Sequence, residues 1–465
     1  MNVEQVLSIL IFAAMFIAIM SGKVHRFIPA LIGAALASIL VAALVHPGPE
    51  NLWHVLRLYD LGDASWWYNT NVTEGAHGAS ANGGTEIGGV NWQTIVFIGG
   101  MMTMVEGLGA VGFFRWMCLG IARLVNYRVV PILIAFMLLS GFLSMFIDSI
   151  TVMLFLAMVT IELARLLKFD PVPVIIAEIF AANVGGSATM SGDPPNIIIG
   201  TALGYTFADF AVNTGPIAWI GMLLTLGLFY LFFRGILSKP ASNNSDGLPT
   251  RYPEPREAIT DPRQFKINSA IFILVVVLLV THAQSGMSVA LVGVTAAGLT
   301  LLTARRSQIL HIIRGVDWRT LLFFLGLFIT VGGLEATGVL EKLAEFIGEA
   351  SGGELLVVIP LILWISAFAS AIVDNIPFAA TMVPVIKNLA ATHNLRLPTL
   401  AWTLALGTDI GGNATPIGAS ANVVGTAVAE REGYPIGWGR FCKYTIPAMI
   451  MVVGLCYLYL VVRYA

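Results

Sequence analysis

A chain of 465 residues that is 57% hydrophobic and 11% charged lies far from soluble domains, where about 25% of residues are charged. A net charge of −2 gives no basic balance for nucleic acid, and Cys118, Cys442 and Cys456 show neither disulfide nor zinc spacing. With histidines confined to loops and segment ends and no phosphate-binding loop, the composition describes a polytopic membrane protein without metal centre, cofactor or nucleotide site.

The first apolar run, Leu7 to Met20, follows an acidic start and precedes Lys23, His25 and Arg26. A signal peptide carries its charge on the other side, so this reads as a first crossing with the N-terminus outside. A second run spans Phe27 to Val45. The polar loop that follows, to Val90, has Arg57 as its only Lys or Arg and contains Asn71-Val-Thr, a weak glycosylation sequon. Asn91 to Phe114 is a third crossing with Trp92 as interfacial anchor, and Arg115, Arg123 and Arg128 mark its far side as cytoplasmic. Pro131 to Ile147 and Ile150 to Leu167 then form a helical hairpin that enters from the cytoplasm, with Asp148 at its tip.

The next segment, Val174 to Gly204, is long enough to cross a membrane. It nevertheless contains Asn183-Val-Gly-Gly-Ser-Ala-Thr-Met-Ser-Gly-Asp-Pro-Pro-Asn196. Three glycines and two prolines break the hydrogen-bond ladder, and in lipid each freed N–H and C=O needs a partner. Such breaks persist where protein or a polar cavity satisfies them, as at transporter binding sites. Gly215 to Phe233 returns inward, and residues 238–266 read as a cytoplasmic linker.

The plan then repeats: Ile267 to Val280, Ser288 to Leu302, Trp318 to Thr337, a hairpin over 355–391, a broken crossing over 398–428, and Tyr444 to Val462. At an offset of 226 residues Trp92 falls on Trp318, Ser140 on Ser366 and Asp148 on Asp374. The same offset carries Gly185, Gly186, Ala188, Thr189, Gly192 and Asn196 onto Gly411, Gly412, Ala414, Thr415, Gly418 and Asn422. Five crossings and one hairpin per half is an odd count, so the second half inserts upside down. The charges agree, with Arg305, Arg306, Arg314 and Arg319 inside and the acidic stretch 341–354 outside. The expected fold is an all-α polytopic membrane protein of two inverted repeats, 1–237 and 267–465. Each has five transmembrane helices, one of them interrupted (174–204 and 398–428), and a re-entrant hairpin (130–167 and 355–391). It is expected to be multi-pass in the inner (plasma) membrane, in contact with lipid, with both termini outside.

Four carboxylates fall inside apolar segments: Asp148, Asp193, Asp374 and Asp409. Intramembrane ionisable groups are costly and functional by default. Asp148 and Asp374 recur at the hairpin tips and are the expected proton-coupling pair. Asp193 and Asp409 occupy non-equivalent places, where a carboxylate either serves transport or ties down broken backbone. Glu106, Glu162, Glu178 and Glu335 read as helix-end or bundle-facing carboxylates. Hydroxyls and amides complete the expected substrate or ion site: Ser149, Thr151, Asn183, Ser187, Thr189, Asn196, Asn375, Asn413, Thr415, Ser420 and Asn422. Gly185-Gly186 and Gly411-Gly412 are expected to give the breaks backbone conformations closed to other residues. No Lys or Arg lies in either broken crossing, nor in either hairpin before Arg165 and Lys387. Carboxylates without a fixed cation favour a cation, a proton or a neutral polyhydroxy solute.

Phe146-Ile-Asp-Ser-Ile-Thr, the Asn183 to Asn196 run with its Gly-Asp-Pro-Pro-Asn, and Ser370-Ala-Ile-Val-Asp-Asn-Ile-Pro resemble the ion-transporter superfamily. That superfamily holds arsenite permeases, NhaD-type sodium–proton antiporters, the melanosomal P protein and divalent-anion/sodium symporters. The resemblance implies inverted repeats, elevator-like alternating access and frequent dimerisation. The symporters carry Ser-Asn-Thr at their tips, from which Asp148-Ser-Ile-Thr and Asp374-Asn-Ile-Pro depart, and the Gly-Asp-Pro-Pro-Asn run looks most like the arsenite-permease and P-protein branch. The expected function is therefore not enzymatic: proton-coupled efflux of arsenite or antimonite, with sodium–proton antiport as the alternative. An organic-anion/sodium symporter or an intramembrane aspartyl protease is a more distant reading.

Overall fold

The computed structural model describes residues 1–21, 23–45, 56–68, 89–237 and 252–464. The sequon at Asn71 and linker residues 238–251 lie outside these. Among the described residues there are no strands, only one isolated bridge between Tyr68 and Met287. Eight helices among the described residues are long and apolar enough to cross a membrane, or nine if one bent pair counts as a span.

Helices of ten residues or more are numbered in chain order. They begin with α1 (Val3–Met20), α2 (Phe27–Leu40), α3 (Trp92–Ala110) and α4 (Phe113–Leu124). The first hairpin is α5 (Val129–Leu143) and α6 (Ser149–Leu167), and the first broken crossing is α7 (Val172–Gly186) and α8 (Pro194–Leu203), followed by α9 (Gly215–Leu237). Then come α10 (Pro262–Ser285), α11 (Val289–Thr303), α12 (Arg306–Gly315), α13 (Trp318–Ala336) and α14 (Val339–Ser351). The second hairpin is α15 (Leu355–Ile372) and α16 (Asn375–His393), the second broken crossing α17 (Leu397–Gly411) and α18 (Ser420–Arg431), and α19 (Trp438–Tyr464) closes the chain. The bounds of α3 and α6 recur in α13 and α16 at the 226-residue offset.

Packing repeats as well. α2 lies against α13 and α11 against α3; α5 lies against α7 and α15 against α17; α6 reaches α18 and α16 reaches α8. Each hairpin thus packs its first arm on the broken crossing of its own half and reaches the broken crossing of the other half with its second arm. Three of these helices, α4, α12 and α14, were not read from the pattern. Gly112, at φ +81°, turns the chain 61° out of α3 into the amphipathic α4. Gly338, at φ +71°, makes the corresponding turn into α14. The end of the linker is pinned where Tyr127 stacks on Tyr252 at 4.3 Å and donates to the Pro253 carbonyl at 2.7 Å. Burial raises the pKa of the Tyr127 hydroxyl.

The glycines at the breaks correct an expectation. Gly411 and Gly412 have φ of −60° and −54°, and neither they nor Gly185 and Gly186 adopt positive φ. Their role is close approach. A Cβ on Gly185 would lie 2.1 Å from the Gly141 carbonyl oxygen of α5, and one on Gly411 would lie 2.2 Å from the Ala367 Cα of α15. Each hairpin's first arm therefore packs backbone to backbone on the broken crossing. Gly185→Ala and Gly411→Ala should each destabilise the protein by about 1–3 kcal/mol through overpacking. Gly120→Ala, in open space on α4, should be neutral or stabilising by up to roughly 1 kcal/mol. Thermal unfolding of the three variants in detergent checks the contrast.

Candidate functional site

The two breaks are clamped alike. Asn196 Nδ2 donates to the Gly186 and Thr189 carbonyls at 3.2 and 3.1 Å, and Asn422 Nδ2 donates to Gly412 and Thr415 at 2.8 and 2.7 Å. Thr189 and Thr415 donate in turn to the carbonyls of Met145 and Ala371 at the hairpin turns. Two short amides thus satisfy four carbonyls that the broken ladders release. Ser187 bonds back to Val184 in its own helix, so it only caps α7. Gly186 faces Gly192 and Gly412 faces Gly418, across breaks too tight for a side chain.

The hairpin tips meet at one residue. Asp193, buried between α7 and α8, accepts from Ser149 Oγ at 2.7 Å and from Asn375 Nδ2 at 2.8 Å. Ser149 and Asn375 are themselves 226 residues apart, each the first residue of its hairpin's second arm. Asp193 therefore joins the two halves. The tip aspartates do the local work instead. Asp148 caps α6, accepting from Ile150 N at 2.9 Å and from the Thr151 hydroxyl at 2.7 Å. Asp374 caps α16 through Ile376 N at 3.3 Å. Asp193 and Asp409 were the carboxylates with a capping alternative, yet neither caps a helix through its side chain.

The two tips differ in charge, and here the expectation of no fixed cation is overturned. Arg26, at the start of α2, donates to Asp374 Oδ2 and Ser420 Oγ at 2.8 Å and to Thr320 Oγ1 at 2.9 Å, with its guanidinium 5.0 Å from the Phe323 ring centroid. Asp374 is a charge-paired group, while Asp148 carries no ion pair among the described residues. Arg26 escaped the sequence reading because it lies 348 residues from its partner and outside the hairpins and breaks. Its place just before an apolar run reads as a topology signal.

Asp148 lines a mostly apolar cavity between α3, the first tip, the first break and α13. Phe97, Met101, Phe146, Ile197 and Phe324 form its walls, and Thr151, Ser191 and Thr320 add hydroxyls. A second, polar vestibule is lined by Arg57, Asp60, Glu335 and Lys387, with Arg57 paired to Asp60 at 3.0 Å. Among the weaker carboxylates, Glu162 pairs with Arg115 on the surface, and Glu178 is fully buried and accepts from Thr160. Deeper between the breaks, Asn183 Nδ2 donates to Asn413 Oδ1 at 2.9 Å and Asn422 Oδ1 at 2.8 Å. Asp409 is fully buried beside Asp193 and Asn196.

Paired hairpins, paired broken crossings and a polar centre between them define a membrane transporter. The citrate transporter family model (CitMHS) matches residues 16–407, and the chain belongs to that family, within the ion-transporter superfamily. It is 36% identical to an uncharacterized transporter of Mycobacterium tuberculosis over 80% of this chain and 87% of that one. A second uncharacterized transporter of that organism is 32% identical over 99% of both chains. The human P protein is 29% identical over 79% of this chain and 53% of its own length. In fold the chain resembles the YdaH transporter of Alcanivorax borkumensis, with a TM-score of 0.55 and 13% identity over 94% of this chain and 98% of that one.

If Arg26 and Asp374 act as a pair, Arg26→Gln and Asp374→Asn should each lower the apparent melting temperature in detergent. The double variant should lose less than the sum, with a coupling of about 1–3 kcal/mol. Additive losses would mean that the contact contributes nothing.

Proposed function

We propose that the protein is a secondary active transporter whose solute occupies the Asp148 cavity and whose coupling proton rides on Asp148. The solute class that best suits this cavity is a neutral metalloid hydroxide, arsenite or antimonite, carried out of the cell in exchange for protons. The observation that carries the reading is the asymmetry of the tips: Asp374 has Arg26, whereas Asp148 faces an apolar-walled cavity with three hydroxyls beside it. An unpaired carboxylate can exchange a proton, and the hydroxyls can exchange hydrogen bonds with a polyhydroxy solute. Asp374, one of the two expected proton carriers, becomes a structural partner of Arg26 in this reading. The cysteines stand apart, with Cys118 and Cys456 buried in the apolar core and Cys442 at the start of α19. A carrier that must release its cargo gains nothing from tight thiolate bonds.

A second reading, citrate or a similar carboxylate, is favoured by the family match and by Arg26, whose contact Thr320 also lines the cavity. Alternating access by movement of hairpins and breaks together suits either solute. We place the protein in the plasma membrane with both termini outside.

Flux into proteoliposomes under an imposed pH gradient, with arsenite, antimonite and citrate compared, separates the readings. Arsenite flux that follows the gradient, lost in Asp148→Asn and kept when all three cysteines become serine, is the expected result. Citrate flux without arsenite flux would transfer the site to the second reading. Full activity in Asp148→Asn would remove the proton from this residue.

A further inference from the structure

The polar vestibule lies between α13 and α16, and these two helices meet differently at their two ends. At one end Arg26 bridges them, donating to Thr320 Oγ1 of α13 at 2.9 Å and to Asp374 Oδ2, at the cap of α16, at 2.8 Å. Glu335 follows near the end of α13 and Lys387 late in α16, so at 1.5 Å per residue both stand about 20 Å along their helices from that bridge. There the helices part around a vestibule of about 360 Å³.

Glu335 and Lys387 both line that space, and Lys387 is the foremost charge acting on the Glu335 carboxylate, ahead of Arg57, which Asp60 holds. Among the described residues neither side chain makes a hydrogen bond or a direct ion pair. Opposite charges separated by water attract weakly, and the attraction grows as they approach and water leaves. The first half shows the same place closed. Residues 226 positions earlier are Gly109 for Glu335, Phe155 for Thr381 and Ile161 for Lys387. A Cβ on Gly109 would lie 2.5 Å from the Phe155 ring, so α3 touches α6 where a vestibule separates α13 from α16.

We infer that Glu335 and Lys387 are a gate pair for transport: they close the vestibule by coming into contact, and they do so when Arg26 releases Asp374 at the other end. Arg26 also holds Thr320, which lines the Asp148 cavity, so opening the cavity at that end requires the bridge to break. A carrier open at both ends would leak, so one end closes as the other opens. This gate rests on the reading of the protein as a carrier, but not on which solute it carries.

The test is a disulfide across the vestibule. In full-length protein with Cys118, Cys442 and Cys456 replaced by serine, Glu335→Cys and Lys387→Cys are combined and oxidised with copper phenanthroline in proteoliposomes. The thiols that remain are counted with a maleimide mass tag. The bond forms only with the two Cα atoms within about 7 Å, so it reports closure. The yield should exceed that of the two single-cysteine variants, and rise by at least about threefold when Arg26→Gln or Asp374→Asn is added. Those substitutions free the bridge from its two sides, so a shared response reports the bridge rather than damage from one change. No solute is needed, so absent arsenite or citrate flux would overturn the choice of solute while a responding yield still supports the gate. A yield at the single-cysteine level in the bridged protein, or one that neither substitution raises, would overturn the inference.

Discussion

Backbone that leaves its helix inside a membrane must find other partners, and in this protein the partners are two asparagines. Asn196 and Asn422 each hold two carbonyls freed by their break, while Thr189 and Thr415 tie the same turns to the hairpins. With those needs met, the breaks can sit in the interior and point helix ends, hydroxyls and carboxylates into a shared space. Gly185 and Gly411 let the hairpin backbones come close enough for those bonds to form. The polar centre is thus a consequence of solving a backbone problem twice with the same residues.

The two solutions differ in their charges. Asp193 has Ala419 as its counterpart, Asp409 has Asn183, and Arg26 holds only one of the two tip aspartates. A symmetric site would bind two like things. Single-copy charges on a duplicated frame instead give one shared anchor at Asp193, one paired tip at Asp374 and one unpaired tip at Asp148.

Much of the frame was legible because membranes restrict what a sequence can do. Long apolar runs give the crossings, prolines and glycines give the breaks, and the 226-residue offset identifies the second half from the first. Three features were not legible, each for a physical reason. Arg26 meets Asp374 only through folding, since nothing local links residues 348 apart. The break glycines suggest backbone conformations closed to other residues, but the need they meet is space against a neighbouring backbone, which no single segment reveals. The tip aspartates read from the sequence as proton carriers alone, yet an aspartate just before a helix readily caps it, as both do here.

The central claim is that the two halves are joined at Asp193 by one donor from each hairpin. A double-mutant cycle on Ser149→Ala and Asn375→Ala, read as apparent stability in detergent, tests it most directly. Both donors serve one buried carboxylate, so losing the second should cost a different amount from losing the first, with an interaction of at least about 0.5 kcal/mol. Strict additivity would mean that the two hairpins do not share Asp193, and would contradict the account.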